Sequence, residues 1–292
     1  MHVAVYGRNL KPSTTPYVAQ FFELLKAKGI SYTVNRPFHK HLLSDHSLTI
    51  DDSTFTKKKE ITTAIDFVFS LGGDGTMLDA VSWIGDKEIP VVGINFGRLG
   101  FLASISINDI EDSLNAIING KHVIDKRNLI QLESNKKLFG NTSFALNEFT
   151  VQRVETSSMI TVHTYLDGQH LNSYWADGLI VSTATGSTGY SLSCGGPVIY
   201  PNSKNFVITP VSPHNLNVRP MVVPDDVELR LHVEGRSKRF LATLDSRNET
   251  IDASFELKLK KASFQAHLVR LSSSNFVNAI REKLLWGEDL RN

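Results

Sequence analysis

The stretch Ile65-Asp66-Phe67-Val68-Phe69-Ser70-Leu71-Gly72-Gly73-Asp74-Gly75-Thr76 decides the class of fold. Its apolar run reads as a buried strand, the glycines make a tight turn, and Thr76 through Ile84 reads as a helix with Met77, Leu78 and Val81 inward. Pro90-Val91-Val92-Gly93-Ile94-Asn95 is the next strand. Toward the N-terminus, Val3-Ala4-Val5-Tyr6 is a short strand ending at Gly7. A helix follows from Pro16, with Val18, Phe21, Phe22 and Leu25 at three- and four-residue spacing and Gly29 as its stop. Strands alternating with helices imply right-handed crossovers and a largely parallel sheet, whose ligand crevice lies at the carboxyl ends of the strands. The glycine turn falls at that edge.

Residues 35–59 mix His, Ser, Asp and Lys without a sustained period and end in Lys57-Lys58-Lys59. This stretch reads as a loop or mobile insert with a solvated charge run and no site. After roughly Asp125 short runs such as Ile160-Thr161-Val162-His163-Thr164-Tyr165 alternate apolar with polar between Gly, Asn and Asp turns, the pattern of β-strands. Phe276, Ile280 and Leu284 return to helical spacing. The expected organisation is a doubly wound α/β domain over 1–124, a β-rich, β-sandwich-like domain over 125–272, and a C-terminal helix over 273–292 that packs on the first domain.

The chain has 292 residues, 41% of them hydrophobic, enough to bury a substantial core and to exclude disorder as the main state. With 31 Lys+Arg against 30 Asp+Glu, it has no uniform field to hold a nucleic acid or an anionic membrane, so any phosphate must be bound locally. One cysteine, Cys194, permits no intramolecular disulfide and fits a reducing compartment, the cytoplasm. No apolar run resembles a signal peptide or approaches the roughly 20 residues of a membrane span.

Two constellations carry chemistry. In Gly72-Gly73-Asp74-Gly75-Thr76, glycines let main-chain N–H groups approach a phosphate, the helix start adds partial positive charge, and Asp74 brings a carboxylate. The plainer alternative is a tight turn with Asp74 capping the helix. Neither a P-loop nor a G-x-G-x-x-G pattern is present, so a phosphate site here lacks the usual loop lysine. The second is Asp177 through Gly196, dense in Gly, Ser and Thr, with Tyr190 offering a flat face for an adenine ring. Its alternative is a polar bend between strands. Asn147, Glu148 and Asp177 lie at strand edges, suited to ribose hydroxyls and base edges. His214, in a proline-bracketed loop, reads as a structural partner of backbone groups. No His/Cys/carboxylate set has metal-ligand spacing, so Mg²⁺ would arrive on a phosphate ligand.

Together, Gly72 to Thr76, Gly97-Arg98-Leu99-Gly100-Phe101-Leu102, Asn147-Glu148, Asp177 to Tyr190, Val211-Ser212-Pro213-His214 and Asp245 resemble the NAD kinase family. Gly72 to Thr76 alone is shared with diacylglycerol and sphingosine kinases. The Thr185-Gly186-Ser187-Thr188-Gly189-Tyr190 segment narrows the match. The resemblance implies two domains forming a cleft, ATP and NAD⁺ as substrates, NADP⁺ and ADP as products, the adenosine 2′-hydroxyl as acceptor, and a homodimer or homotetramer. It makes Asp74 the proton acceptor and Gly72, Gly73 and Thr76 the phosphate-binding residues. Gly75, Asn147, Glu148, Asp177, Thr188, Gly189, Tyr190, Ser191, Leu192, Ser193, Ser212, Asp245 and Arg247 become the substrate-binding residues. Two departures stand out: Ala184 and Gly189 replace the Pro and Ala of the family's TPTGSTAY, and Asp245-Ser246-Arg247 replaces Asp-Gly-Gln. On this reading Asp74→Asn leaves folding intact and removes most turnover. The competing readings are a lipid kinase, which would need a membrane-facing surface, and a non-enzymatic NAD(H) sensor, which would bind NAD⁺ without making NADP⁺.

Overall fold

Residues Val3 to Gly7 are all buried, which requires cover on both faces, because successive side chains of a strand point to opposite sides. In this computed structural model, residues 1–50, 53–97, 100–154, 158–271 and 276–286 are described. Arg98, Leu99 and parts of the 273–292 segment lie outside them. The chain divides into two units, one of residues 1–126 with 266–292 and one of residues 127–265.

The first unit is built on parallel strands. In chain order it has β1 (His2–Gly7), α1 (Thr15–Ala27), β2 (Ser31–Asn35), α2 (Arg36–His46), β3 (Thr54–Phe55), β4 (Phe67–Leu71), α3 (Asp74–Ile84), β5 (Val91–Asn95), β6 (Ile105–Ser106) and α4 (Ile110–Ile118). The strand order is β3-β2-β1-β4-β5. Every pairing along it is parallel. The chain leaves β1 toward β2 on one side and later returns to the other side as β4, so the topological switch point lies between β1 and β4. Val18, Phe21, Phe22 and Leu25 of α1 join Val3, Val5, Phe69, Leu71, Val92 and Ile94 in one core.

Two expectations change here. The 35–59 stretch is not a loop: it contains α2, β3 and a single 3-10 turn. The Asn35 side chain accepts the Phe38 N–H as N-cap and Pro37 sits in the first turn, both start signals. Phe38, His39, His41, Leu42 and His46 are buried. Three histidines on the inward face disguised the helical period; His41 accepts the Leu10 N–H at 2.9 Å and faces His46 at 3.2 Å. Helix α3 begins at Asp74 rather than Thr76, and its buried apolar residues are Met77, Ala80, Val81 and Ile84, with Leu78 only partly covered.

The second unit carries antiparallel strands. These are β7 (His122–Ser134), β8 (Phe144–Ala145), β9 (Glu148–Arg153), β10 (Ile160–Leu166), β11 (Gln169–Ala176), β12 (Gly178–Thr183), β13 (Asn205–Val211), β14 (Met221–Pro224), β15 (Leu229–Gly235), β16 (Phe240–Leu244), β17 (Arg247–Ile251) and β18 (Leu257–Leu271). β7 begins and β18 ends in the first unit, where Leu268 of β18 pairs with Val91 of β5. One sheet runs β14-β13-β12-β9-β16-β17, and β11-β10-β15-β18 form another. Phe149, Val151, Leu179, Val181, Phe206 and Ile208 from the first meet Ile160, Val162, Leu229, Leu231, Val233 and Leu257 from the second in a single core, a β-sandwich. The short helix α5 (Tyr190–Ser193) follows β12. The last helix among the described residues is α6 (Phe276–Leu284), which buries Ile280 and sets Phe276 against Phe101 at 6.4 Å between ring centroids.

Candidate functional site

In the first unit β4 runs directly into the glycine turn, and α3 opens with Gly73 at its N-cap. Gly73 and Gly75 are exposed, whereas Thr76 is buried. The surface of the pentamer is therefore main chain, with the N–H groups of Asp74 and Gly75 ahead of the first intrahelical bonds. Asp74 does not cap its own helix. Its Oδ2 accepts the Phe101 N–H at 2.7 Å, and its Oδ1 accepts those of Leu102 at 3.1 Å and Ala103 at 2.9 Å. Gly100 permits this, because a Cβ there would overlap the Asp74 carboxylate. A carboxylate offers about four lone-pair positions, so this arrangement leaves one acceptor direction on Asp74. Lys283 of α6 lies over the Phe101 ring at 4.6 Å. Burial draws its pKa down while the Asp74 charge opposes that shift.

In the second unit β9 and β12 are hydrogen-bonded neighbours, with Ser182 opposite Glu148. This brings Asn147 and Glu148 beside the segment that leaves β12. The Thr183 N–H donates to the Asn147 carbonyl at 2.8 Å, and Gly186 lies so close to the same carbonyl that a Cβ would collide with it. A Cβ on Gly189 would stand 3.2 Å from Glu148 Oε2 and 3.6 Å from Asn147 Nδ2. Asp245, at the first position of the two-residue β16–β17 turn, has φ 52°. Its carboxylate accepts the N–H groups of Leu146 at 2.9 Å, Asn147 at 2.8 Å and Glu148 at 3.2 Å. Burial, then the Asp245 charge, pushes the Glu148 carboxyl up to about 8. Burial also raises Asp245, against the pull of its N–H donors and Arg247. Asn147 Oδ1 and Glu148 Oε2 are buried without a hydrogen-bond partner among the described residues. Such atoms are rare in proteins and call for a partner.

The remaining candidates divide by what holds them. Asp177, at the other end of β12, forms a two-pronged ion pair with Arg153, each contact 3.0 Å. Tyr190 is 38% exposed and its hydroxyl accepts from Gln152 at 2.8 Å, so its ring is anchored at one end and open along its length. Ser193 and Ser212 are exposed, and Thr188, Gly189 and Leu192 are partly so. Ser191 is fully buried and its hydroxyl is shared with Thr209 at 2.8 Å, which gives it a packing role in this conformation rather than a surface one. Arg247 donates to the carbonyls of Thr142 and Phe144, tying down the approach to Asn147. The N–H groups of residues 101–103 received no role in the sequence reading, because nothing in the local pattern marks which turn they serve. Among the described residues no group of three or more His, Cys, Asp or Glu side chains stands together to hold a metal ion.

Comparisons with known proteins match both units. Residues 3–122 match the ATP-NAD kinase N-terminal domain and residues 146–271 the ATP-NAD kinase C-terminal domain. The chain is 48% identical over 293 residues to an NAD kinase of Cytophaga hutchinsonii and 43% identical over 294 residues to one of Flavobacterium psychrophilum, in each case over 100% of both chains. Among solved structures it resembles yeast NADH kinase complexed with NADH, with a TM-score of 0.88 and 22% identity over 100% of this chain and 89% of that one. It also resembles an Archaeoglobus fulgidus NAD kinase in complex with ATP, with a TM-score of 0.76 and 24% identity over 96% and 99%. At these identities the two structures speak for the fold alone.

Proposed function

The chain belongs to the NAD kinase family, and on that premise we propose that it transfers the terminal phosphoryl group of ATP to the 2′-hydroxyl of the adenosine ribose of NAD⁺, giving NADP⁺ and ADP. The observation that carries the reading is the pair of buried atoms Asn147 Oδ1 and Glu148 Oε2, without a partner among the described residues, beside Gly189, the residue that precedes the exposed Tyr190. They suit a ligand with amino and hydroxyl donors and a flat ring, which a dinucleotide has.

In the step itself, the ribose oxygen forms a bond to the γ-phosphorus, the bond from that phosphorus to the β,γ-bridging oxygen breaks, and the hydroxyl proton leaves to a base. Asp74 takes the proton through its remaining acceptor direction. General-base help of this kind is worth about 10²–10⁴-fold. Placement and neutralised phosphate charge dominate the rest. The donor would arrive as MgATP, with Mg²⁺ bound to the phosphate oxygens of the nucleotide and neutralising their charge.

We propose that the protein works in the cytoplasm, whose reducing conditions suit a chain with a single cysteine. No helix among the described residues is long and apolar enough to cross a membrane. We also propose a homodimer or homotetramer. Exposed Trp175, Tyr200, Leu216, Met221 and Val222 in the second unit support it, and light scattering after size exclusion tests it.

Incubation of the pure protein with MgATP and NAD⁺, with NADP⁺ read by an NADP⁺-specific dehydrogenase, tests the activity. Binding of NAD⁺ without product would favour the sensor reading, and phosphate transfer to diacylglycerol in place of NAD⁺ would favour a lipid kinase.

A further inference from the structure

The glycine turn carries no lysine of its own, but the fold brings a cation to it. β1 and β4 are adjacent and parallel, with Gly7 opposite Leu71, so the residue after β1 and the turn after β4 emerge side by side at the switch point. That residue is Arg8. Its Nη1 lies 3.8 Å from where a Cβ on Gly75 would stand, so the guanidinium sits at the exposed main chain of the turn. Asp79, one helical turn beyond Gly75 on α3, holds the guanidinium through Nε and Nη2. The Tyr6 hydroxyl donates to the same Asp79 oxygen at 3.3 Å, and burial followed by the Asp79 charge pushes Tyr6 up to about 12.

The Arg8 side chain is 49% exposed, and a half-solvated pair of this kind is worth about 1 kcal/mol or less. A guanidinium meeting phosphate oxygens makes shorter, charge-assisted and often bidentate bonds. Beside Arg8 is a pocket of about 470 Å³ lined by Tyr6, Asn9, Asn35, Phe38 and Trp83, within the range of small-molecule sites. It combines aromatic walls with side-chain amides. An anionic chain on one side and a planar heterocycle with hydrogen-bonding edges on the other describe one ligand class, a nucleoside triphosphate.

We propose that Arg8 binds the phosphate chain of the donor nucleotide, aligned by Asp79, and that the adjoining pocket receives the donor's nucleoside. This rests on the NAD kinase reading and assigns the donor's side of it.

The test is steady-state kinetics and calorimetry on the full chain, comparing Arg8→Met, Arg8→Lys and Trp83→Leu. Arg8→Met raises KM for MgATP about tenfold or more and leaves KM for NAD⁺ within about twofold, with Arg8→Lys intermediate. Inorganic tripolyphosphate, which has the charged chain without a nucleoside, loses competition against ATP in Arg8→Met to the same degree. In Trp83→Leu it competes as in the wild type while KM for ATP rises. Equal shifts in both KM values, or none in either, would make Arg8 a structural partner of Asp79 and overturn the proposal. ATP binding measured calorimetrically without NAD⁺ reads Arg8 even if no NADP⁺ is formed, so loss of the functional reading and loss of this one are separable.

Discussion

Gly100 and Asp74 occupy adjoining space so closely that a single methyl group on Gly100 would coincide with the Asp74 carboxylate. The absence of a side chain there lets the main chain of residues 101–103 close on the two oxygens with three hydrogen bonds. The loop and the carboxylate are thus a single mechanical unit, and the proposed base is held in place by three N–H donors.

Gly100→Ala should therefore expel the Asp74 carboxylate. The expected cost is about 2–4 kcal/mol, from loss of charge-assisted bonds plus overpacking. Thermal melts should show it together with a large fall in turnover; a variant with unchanged melting and activity would mean that the loop can be held open at no cost.

Asp74→Asn should be less innocuous than its chemistry suggests. An amide keeps one oxygen for two of the three N–H donors and turns an NH₂ toward the third, leaving a donor facing a donor. A loss of about 1–3 kcal/mol is expected in addition to the loss of most turnover. Denaturant titration and the NADP⁺ assay check the two separately, and near-normal turnover in the variant would remove Asp74 from the base role.

Asp245 repeats the device in the second unit, accepting three consecutive N–H groups, those of Leu146 to Glu148. Asp245→Ala should cost about 3 kcal/mol or more, since it orphans these donors and places a Cβ residue without side-chain compensation at φ 52°. Asp245→Asn, which tolerates that backbone conformation, should cost roughly half as much. Equal urea midpoints for the two variants would show that the carboxylate's hydrogen bonds, rather than the backbone conformation, set the loss.

Glu148 should give the protein a pH-dependent stability. Its carboxyl is raised from 4.5 to about 8, first by burial and then by Asp245. Between those values the folded state holds a proton that the unfolded chain has released. This contribution is full below the lower value and is lost as the pH rises toward the upper one. Glu148→Gln cannot ionise, so its stability should fall less across that window, by about 5 kcal/mol at most. Urea midpoints at about pH 5 and about pH 8.5 check this; parallel pH profiles for wild type and variant would rule out the raised carboxyl.

Much of the fold was legible because periodicity is a local property. The runs around Val3 and Phe69 and the spacing of Val18, Phe21, Phe22 and Leu25 identify strands and a helix from a few residues each. Helix α2 escaped because His39, His41 and His46 occupy buried positions that the pattern counts as polar. The site was legible as residue types: a carboxylate in a glycine turn, an amide and acid before β9, a polar segment after β12. For Ser191 and Arg247 the resemblance implied ligand contacts, while their partners within the chain, Thr209 and the carbonyls of Thr142 and Phe144, are set by strand order and could not be read locally.

Taken alone, the order of residues determined that strands and helices alternate before roughly Asp125 and that strands dominate after it. It also determined that a glycine bend carries Asp74. Tertiary structure decided what each of these side chains does. Asp74 meets N–H groups 27 to 29 positions away, Arg8 meets Asp79 across 71, and Asp245 meets Leu146 across 99. Backbone preference acts over a few neighbouring residues, whereas these partners are chosen by which strands lie side by side, and that choice is settled only when the whole sheet buries its apolar faces.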